Sequence, residues 1–110
     1  MEWIEKLDGS VIVCDVSGKI IYANEMAERT FVKPGEPPIQ GSDLTACHNE
    51  NSNKIISRMM EQKKKNVYTI EKKGKKKLIY QTPWVVDGKL KGLVELSLEI
   101  PFDMPHFVRE

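Results

Sequence analysis

A strict alternation of apolar and polar residues near the end of the chain limits the fold more than any other feature of the sequence. It lies in the segment Lys89–Ile100, directly after the turn pair Asp87-Gly88. The apolar positions are Val94, Leu96, Leu98 and Ile100, and the polar ones are Glu95, Ser97 and Glu99. Side chains of a strand alternate between its two faces, so the pattern predicts a strand with one buried and one polar face. Asp-Gly before it is typical of a hairpin turn.

Four further segments indicate strands. Ser10–Asp15 (SVIVCD) is β-branched and continuously apolar, which favours a strand covered on both faces. Residues 19–23 (KIIYA) follow the turn Ser17-Gly18 and complete a first hairpin. Residues 66–72 and 76–86 form two more predicted strands, joined at Gly74.

Short helices are predicted between and before these strands. Asn24 is a good N-cap for a helix over Glu25–Phe31. Residues 33–41 hold three prolines and two glycines and are predicted to be a loop. Ser42 or Asp43 can cap a brief turn over residues 44–46. Asn49 or Asn51 can cap a longer helix that runs to about residue 62, with an apolar face of Ile55, Ile56, Met59 and Met60.

The order of elements predicts one α+β domain: a five-stranded antiparallel sheet with short helices crossing one face. We expect residues 1–8 to form an N-terminal helix, 9–100 the core and 101–110 a tail. With 110 residues, the chain has room for one domain only. Helices that cup a sheet leave a space that can hold a small ligand.

Composition narrows the function classes. Lys and Arg number 17 against 16 Asp and Glu, and this balance argues against a dedicated nucleic-acid binder. No apolar run approaches the roughly 20 residues that cross a bilayer, so no membrane association is expected. The N-terminal residues lack the features of a secretory signal. Cys14 and Cys47 show no disulfide framework, which favours reduced thiols and a cytoplasmic location.

Three stretches together resemble the PAS sensor domain family. They are DGSVIVCD (8–15) with SGKIIYAN (17–24) and Ala27-Glu28, then GSDL (41–44), then DGKLKGLVE (87–95). The resemblance covers about residues 7–100. It implies a PAS-like fold and a signal-input or protein-interaction module, and it names neither a reaction nor a ligand.

A smaller group within that family is indicated by Cys47-His48-Asn49-Glu50 before a helix and by the closing strand GLVELSLEI. These features resemble a bacterial subgroup that carries a Cys-His pair at this place. The tail, residues 101–107, is similar to that of small stand-alone members.

Cys47 and His48 are the strongest chemical candidates. Either can ligate haem iron, and some PAS domains bind haem through a histidine near this region. The alternative, which we favour, is a structural helix start in which His48 bonds the backbone and Cys47 is a small buried residue. Cofactor identity is therefore left open. A metal centre is not expected, because the soft ligands are scattered. Flavin photochemistry is disfavoured because the Asn-Cys-Arg-Phe-Leu type of motif is absent.

An aromatic and aliphatic set predicts a ligand pocket. If the last two strands face the helices, Tyr80, Trp84 and Leu96 line a cavity with Ile55 and Met59, near Cys47 and His48. Val94 and Leu98 belong to the same apolar set. The alternative is that these side chains simply fill the core.

Catalysis is not expected, because neighbouring Cys47 and His48 do not by themselves form a nucleophile–base pair, and no phosphate-binding motif is present. The lysine runs at residues 63–65 and 72–77 are interpreted as solvated surfaces rather than docking sites for acidic partners.

Trp3, Ile4 and Leu7 recur at helical spacing in a segment too short to be stable alone, so we expect it to dock. The two surfaces open to it are the chain's own sheet and a second copy in a homodimer. The apolar tail residues Phe102, Met104 and Phe107 raise the same question.

The sequence therefore predicts a cytoplasmic sensory or interaction module that forms a homodimer and binds a small molecule or a signalling protein. The alternatives are a haem-binding sensor that uses His48 or Cys47, and a ligand-free dimerisation scaffold.

Overall fold

A computed structural model of the protein describes residues 1–43 and 50–110, with the backbone alone for 50–53 and 55. The described helices and strands follow in chain order. They are α1 (Glu2–Glu5), β1 (Ser10–Asp15), β2 (Ile20–Ala23), α2 (Glu25–Phe31), α3 (Glu50–Gln62), β3 (Asn66–Lys72), β4 (Lys75–Val86) and β5 (Lys89–Ile100). The predicted turn over residues 44–46 lies outside the described residues.

The five strands form one sheet in the order β2-β1-β5-β4-β3, and every neighbouring pair is antiparallel. The predicted α+β architecture is confirmed. Because β1 and β5 meet at the centre, the chain must cross over between β2 and β3, and α2 and α3 belong to that crossover.

Two tight turns join the last three strands, and a register shift between Trp84 and Val85 moves the rest of the β4–β5 pairing by one residue. Lys73-Gly74 and Asp87-Gly88 each have positive φ at both positions: 54° and 77° in the first, 50° and 76° in the second. Such turns match the right-handed twist of the flanking strands. The second was predicted from Asp-Gly. At the first, a lysine occupies a left-handed conformation, which costs roughly 1–2 kcal/mol.

The helices cover one side of the sheet, which we call the inner face. Ile12 and Cys14 of β1 and Leu93 of β5 pack there against Ile56 and Met59 of α3. Strand alternation assigns their neighbours Val11, Val13 and Val94 to the other side, the outer face. Register then decides which side of the sheet every other strand residue occupies.

The faces of β5 are reversed relative to the prediction. Cys14 pairs with Leu93 and Ile12 with Glu95, so Glu95 lies on the inner face and is only 8% exposed. Leu96 and Leu98 lie on the outer face and are half-buried. The alternation correctly predicted a strand and its period. The predicted side was wrong because acidic positions were assumed to face water.

Gly92 permits the close approach of β5 to β1. A Cβ built at this position would lie 1.9 Å from the carbonyl oxygen of Cys14. Any side chain would therefore push the two central strands apart, just before the point where Leu93 enters the core.

The hairpin of β4 and β5 extends beyond its neighbouring strands. Pairing with β3 ends at Gln81 and pairing with β1 ends at Gly92. Residues 85–91, which we call the arm, are thus held by a single strand pairing. Val85 and Val86 are exposed there. At the tip, the Lys63 ammonium beyond the end of α3 donates a hydrogen bond to the Gly88 carbonyl at 3.1 Å.

Asn24 ties α1, α2 and β1 together. Its side-chain oxygen accepts hydrogen bonds from the backbone N–H groups of Val11 and Ala27, both at 3.0 Å. Its amide donates to the carbonyls of Gly9 and Ile4, both at 2.9 Å. The residue is fully buried. The predicted N-cap is confirmed, and three of its four contacts reach elements that the capping pattern does not involve.

We predict that Asn24→Asp destabilises the protein by about 3 kcal/mol or more. The substitution keeps the acceptor oxygen but replaces the donor amide with an oxygen facing two buried carbonyls. Gln40→Glu is the control, since Gln40 accepts from the Ala23 N–H at an exposed position. Urea unfolding measures both. Equal unfolding midpoints for the two variants would contradict the assignment.

Candidate functional site

The inner face beneath α3 has an apolar half and a polar half. The apolar half is built by β1 and β5 residues that pack against α3, as described above. The polar half lies where β3, β4 and β5 run side by side. Asn66 pairs with Gln81, and Gln81 pairs with Glu95, so three polar residues stand in one row across the strands.

This row is a directed chain of hydrogen bonds, which we call the amide–carboxylate ladder. The Asn66 amide donates to the Gln81 side-chain oxygen at 3.0 Å, and the Gln81 amide donates to Glu95 Oε1 at 3.0 Å. Gln81 is 2% exposed. Both amides donate in the same direction along the row, so the ladder ends on the acceptor oxygen of Glu95. A buried row of polar side chains that satisfy one another's hydrogen bonds indicates a specific polar environment.

Tyr68 extends the same face at the sheet edge. It pairs with Ile79, which places it on the inner face beside the ladder, and its side chain is partly exposed. Burial raises the pKa of the Tyr68 hydroxyl, and the nearby charge of Glu95 raises this pKa further. Tyr68 therefore keeps its proton and can donate a hydrogen bond at neutral pH.

Cys14 contributes packing rather than reactivity. It is 1% exposed, and burial raises the pKa of its thiol to about 11, although hydrogen bonding to the Leu93 backbone opposes the shift. The thiol is protonated at neutral pH, whereas nucleophilic and metal-binding cysteines act as thiolates. Among the described residues, no group of three or more histidine, cysteine or acidic side chains converges as a metal site.

The predicted pocket residues do not share one face. Met59 is buried on the inner face. Tyr80 pairs with Leu96, one position from Gln81 and Glu95, and therefore both lie on the outer face. Trp84 pairs with Gly92 next to Leu93, which also assigns it to the outer face. A pocket lined jointly by Met59, Tyr80, Trp84 and Leu96 is therefore wrong, and the reason is the reversed face of β5.

Three predicted residues lie beyond what the structure describes. Cys47 and His48 fall in residues 44–49, and only the backbone of Ile55 is described. Their roles as pocket lining, and haem ligation by His48 or Cys47, stay predictions.

The N-terminal helix sits against β2. Tyr22 donates a hydrogen bond from its hydroxyl to Glu5 at 2.7 Å, and burial together with the Glu5 carboxylate raises the pKa of Tyr22 to about 12. Ile4 is half-buried. Trp3 is 63% exposed, and Leu7 is exposed as well. The tail residues Phe102, Met104 and Phe107 are also exposed.

Sequence reasoning missed the ladder, although one signal for it was present. Counting outward from Lys73-Gly74 aligns Asn66 with Gln81, so the pair of carboxamides could have been found in this way. Counting outward from Asp87-Gly88 places Gln81 opposite Val94, and only the register shift between Trp84 and Val85 brings Glu95 opposite Gln81. Burial of that row could not be read from hydropathy, which scores all three residues as surface.

This arrangement of strands and helices is that of PAS domains. No protein-family model matches the sequence, and no curated protein matches it. Among the solved structures that do match is the PAS domain of histidine kinase ThkA. It is 20% identical with a TM-score of 0.64, covering 81% of this chain and 97% of that one.

Two structures from Vibrio cholerae are similar over most of this chain. A sensory box sensor histidine kinase is 14% identical with a TM-score of 0.66, covering 92% of this chain and 89% of that one. VqmA, solved as a ligand–DNA complex, is 12% identical with a TM-score of 0.66, covering 89% of this chain and 48% of that one. These likenesses establish the PAS-like fold. No described helix is long and apolar enough to span a membrane.

We predict that Gln81→Glu destabilises the protein by about 3 kcal/mol or more at pH 7.5 and by less at pH 5. A second carboxylate beside Glu95 raises the pKa of the pair in the folded state above that in the unfolded state. The stability is therefore present at low pH and lost as pH rises through the folded pKa. Urea unfolding at the two pH values measures this.

Thr82→Glu is the control, since it adds the same charge at the next position of β4, which faces the other side of the sheet. The ladder would be refuted if both variants lost equal stability, or if the loss in Gln81→Glu did not depend on pH.

Proposed function

We propose that the protein is a cytoplasmic signal-input module that binds a small molecule between α3 and the inner face and catalyses no reaction. The amide–carboxylate ladder carries this proposal. A buried row of oriented polar groups beside an apolar patch is the usual composition of a ligand site, in which few polar groups fix orientation and apolar groups supply contact. The fold supports the same assignment.

The proposed signal is a shift between two packings of α3 on the sheet. A ligand held by the ladder and by Met59 contacts both layers at once, so it favours the packing that keeps them at one separation. Lys63, just beyond the end of α3, holds the Gly88 carbonyl of the arm. A displacement of α3 thus reaches an exposed part of the sheet where a partner protein can bind.

The state of Cys14 supports the absence of catalysis. A thiol whose pKa is raised to about 11 by burial is the reverse of an activated nucleophile, whose pKa is lowered by neighbouring positive charge. The polar groups of the ladder are two amides and a carboxylate joined by hydrogen bonds, which suits recognition.

We expect native mass spectrometry of freshly isolated protein to show a bound small molecule that is released on denaturation. At about 100 times its Kd, such a ligand raises the free energy of unfolding by about 2.7 kcal/mol. This corresponds to a Tm increase of roughly 10 °C in a domain of this size.

Glu95→Gln should reduce the bound fraction, because the ladder would end on an amide. Glu71→Gln is the control, because it makes the same change at an exposed position of β3 whose partner Lys76 faces the other side of the sheet. Protein that carries no ligand and gains no thermal stability from a metabolite extract would contradict the proposal, and so would equal ligand loss in both variants.

A second candidate function, homodimerisation, is favoured by the exposure of Trp3. An indole that is 63% exposed on a four-residue helix, beside exposed Leu7, is an unusual solvent-facing feature and a common anchor at interfaces. In this proposal α1 packs against α1 or the outer face of a second copy.

We predict that Trp3→Ala raises the dimer dissociation constant by about tenfold or more, since loss of an interface tryptophan costs about 2 kcal/mol. Sedimentation equilibrium measures it. Phe31→Ala is the control, because Phe31 is an exposed aromatic residue at the end of α2. A monomeric wild type, or equal effects of the two substitutions, would refute dimerisation through α1.

A further inference from the structure

A cavity lies on the inner face, at the end of the sheet remote from the arm. It has a volume of about 270 Å³ and opens between the start of β1, α2 and the paired ends of β4 and β5. The residues that matter chemically are Asp8, Ser10, Met26, Lys77, Ser97 and Glu99. Ser97 is two residues along β5 from Glu95, so the cavity borders the ladder without including it.

Register brings the polar lining together. Ser10 pairs with Ser97 across β1 and β5, and Lys77 pairs with Glu99 across β4 and β5. All four therefore lie on the inner face. Ser10 is 3% exposed although its side chain lines the cavity. A buried hydroxyl that lines a cavity can form a hydrogen bond with a molecule bound there.

Some hydroxyl groups of the lining have hydrogen-bonding capacity that the described protein groups do not satisfy. Thr30 donates its hydroxyl to the Met26 carbonyl at 2.8 Å. Within residues 1–43 and 50–110, the side chains of Ser10 and Ser97 make no hydrogen bond to another protein group. Two hydroxyls are thus available, each able to donate one hydrogen bond and to accept others.

The charges of the lining leave one cation and one anion. Lys75 and Glu99 pair with each other, Nζ to Oε1, at 3.6 Å. In the described part of the chain, neither Asp8 nor Lys77 has an opposite charge within the 4 Å of an ion pair. The lining as a whole carries two positive and two negative groups, so it offers no net attraction to a multiply charged anion.

We propose that this cavity binds a small zwitterion of the α-amino-acid type. The ligand carboxylate is held by the Lys77 ammonium and the hydroxyls of Ser10 and Ser97. The ligand ammonium is held by Asp8, and its side chain contacts the thioether of Met26. The cavity equals about nine water volumes of roughly 30 Å³ each, which suits an amino acid and is too small for a drug-sized molecule.

This inference goes beyond the proposed function, since it assigns a second ligand site with its own chemistry. The lining of this cavity differs from both halves of the inner face beneath α3. It contains neither the amide–carboxylate ladder nor the apolar residues that pack against α3. The ladder residues serve as a spectroscopic reference in the test, because ligand at the α3 site would perturb their amides.

The test is titration of the ¹⁵N-labelled protein with L-valine, followed by the other amino acids, to about 10 mM. We expect amide shifts at Ser10, Lys77 and Ser97 for at least one of them. Valinamide, which lacks the carboxylate, and N-acetylvaline, which lacks the ammonium, should bind at least about tenfold more weakly than valine. If the best probe is another amino acid, its amide and N-acetyl forms replace these two.

Two neighbouring lysines provide a matched control. Lys77→Gln should weaken binding by about tenfold or more, whereas Lys76→Gln should change it by less than about twofold. Lys76 pairs with Ile100 on the outer face, so both variants lose one charge on adjacent residues. Asp8→Asn should weaken valine but leave N-acetylvaline unchanged.

Each contrary result overturns the proposal. These are the absence of shifts at the three amides with all twenty amino acids, equal effects of Lys76→Gln and Lys77→Gln, and valinamide binding as tightly as valine. Shifts confined to Asn66, Gln81 and Glu95 would also overturn it, because they would assign the amino acid to the α3 site. Loss of that site by itself would leave the shifts at Ser10, Lys77 and Ser97 intact.

Discussion

The buried Asn24 side chain is the interaction on which the rest of the structure depends. It fills both functions of its amide with backbone groups from three elements, and no other amino acid has this combination of size, donor and acceptor. One buried side chain thus holds the start of α2, the start of β1 and the helix α1 in fixed positions relative to one another. The covered side of β1 is part of the inner face on which the other sites lie.

Much of the fold could be predicted because the turns and caps that bound its elements depend on local sequence. Asp87-Gly88, Gly74 and Asn24 each act through their own backbone preferences, and the strands between them followed. The assignment of faces could not be predicted in this way. It depends on Gly92, whose missing side chain lets β5 approach Cys14, and on carboxamides that make burial of Glu95 tolerable. Both are relations between residues far apart in sequence.

The candidate site was harder to predict than the fold for the same reason. Hydropathy predicts that Tyr80, Trp84 and Leu96 face the helices and that Gln81 and Glu95 face water. Strand register instead assigns the first three to the outer face and the last two to the inner face. Met59 was placed correctly because helical periodicity reports a face directly. Polar residues that satisfy one another across strands leave no trace in a one-residue scale, so only the paired alignment of β3, β4 and β5 reveals them.

The arm at residues 85–91 has a mechanical consequence. Residues 76–81 of β4 and 92–97 of β5 are paired on both sides, so bending either strand there would break two sets of hydrogen bonds at once. In the arm, each strand has one neighbour. The arm can therefore twist about the axis of the hairpin while the backbone hydrogen bonds between β4 and β5 stay intact. Because Lys63, beyond the end of α3, holds the Gly88 carbonyl at the tip of the arm, the twist of the arm depends on the position of α3.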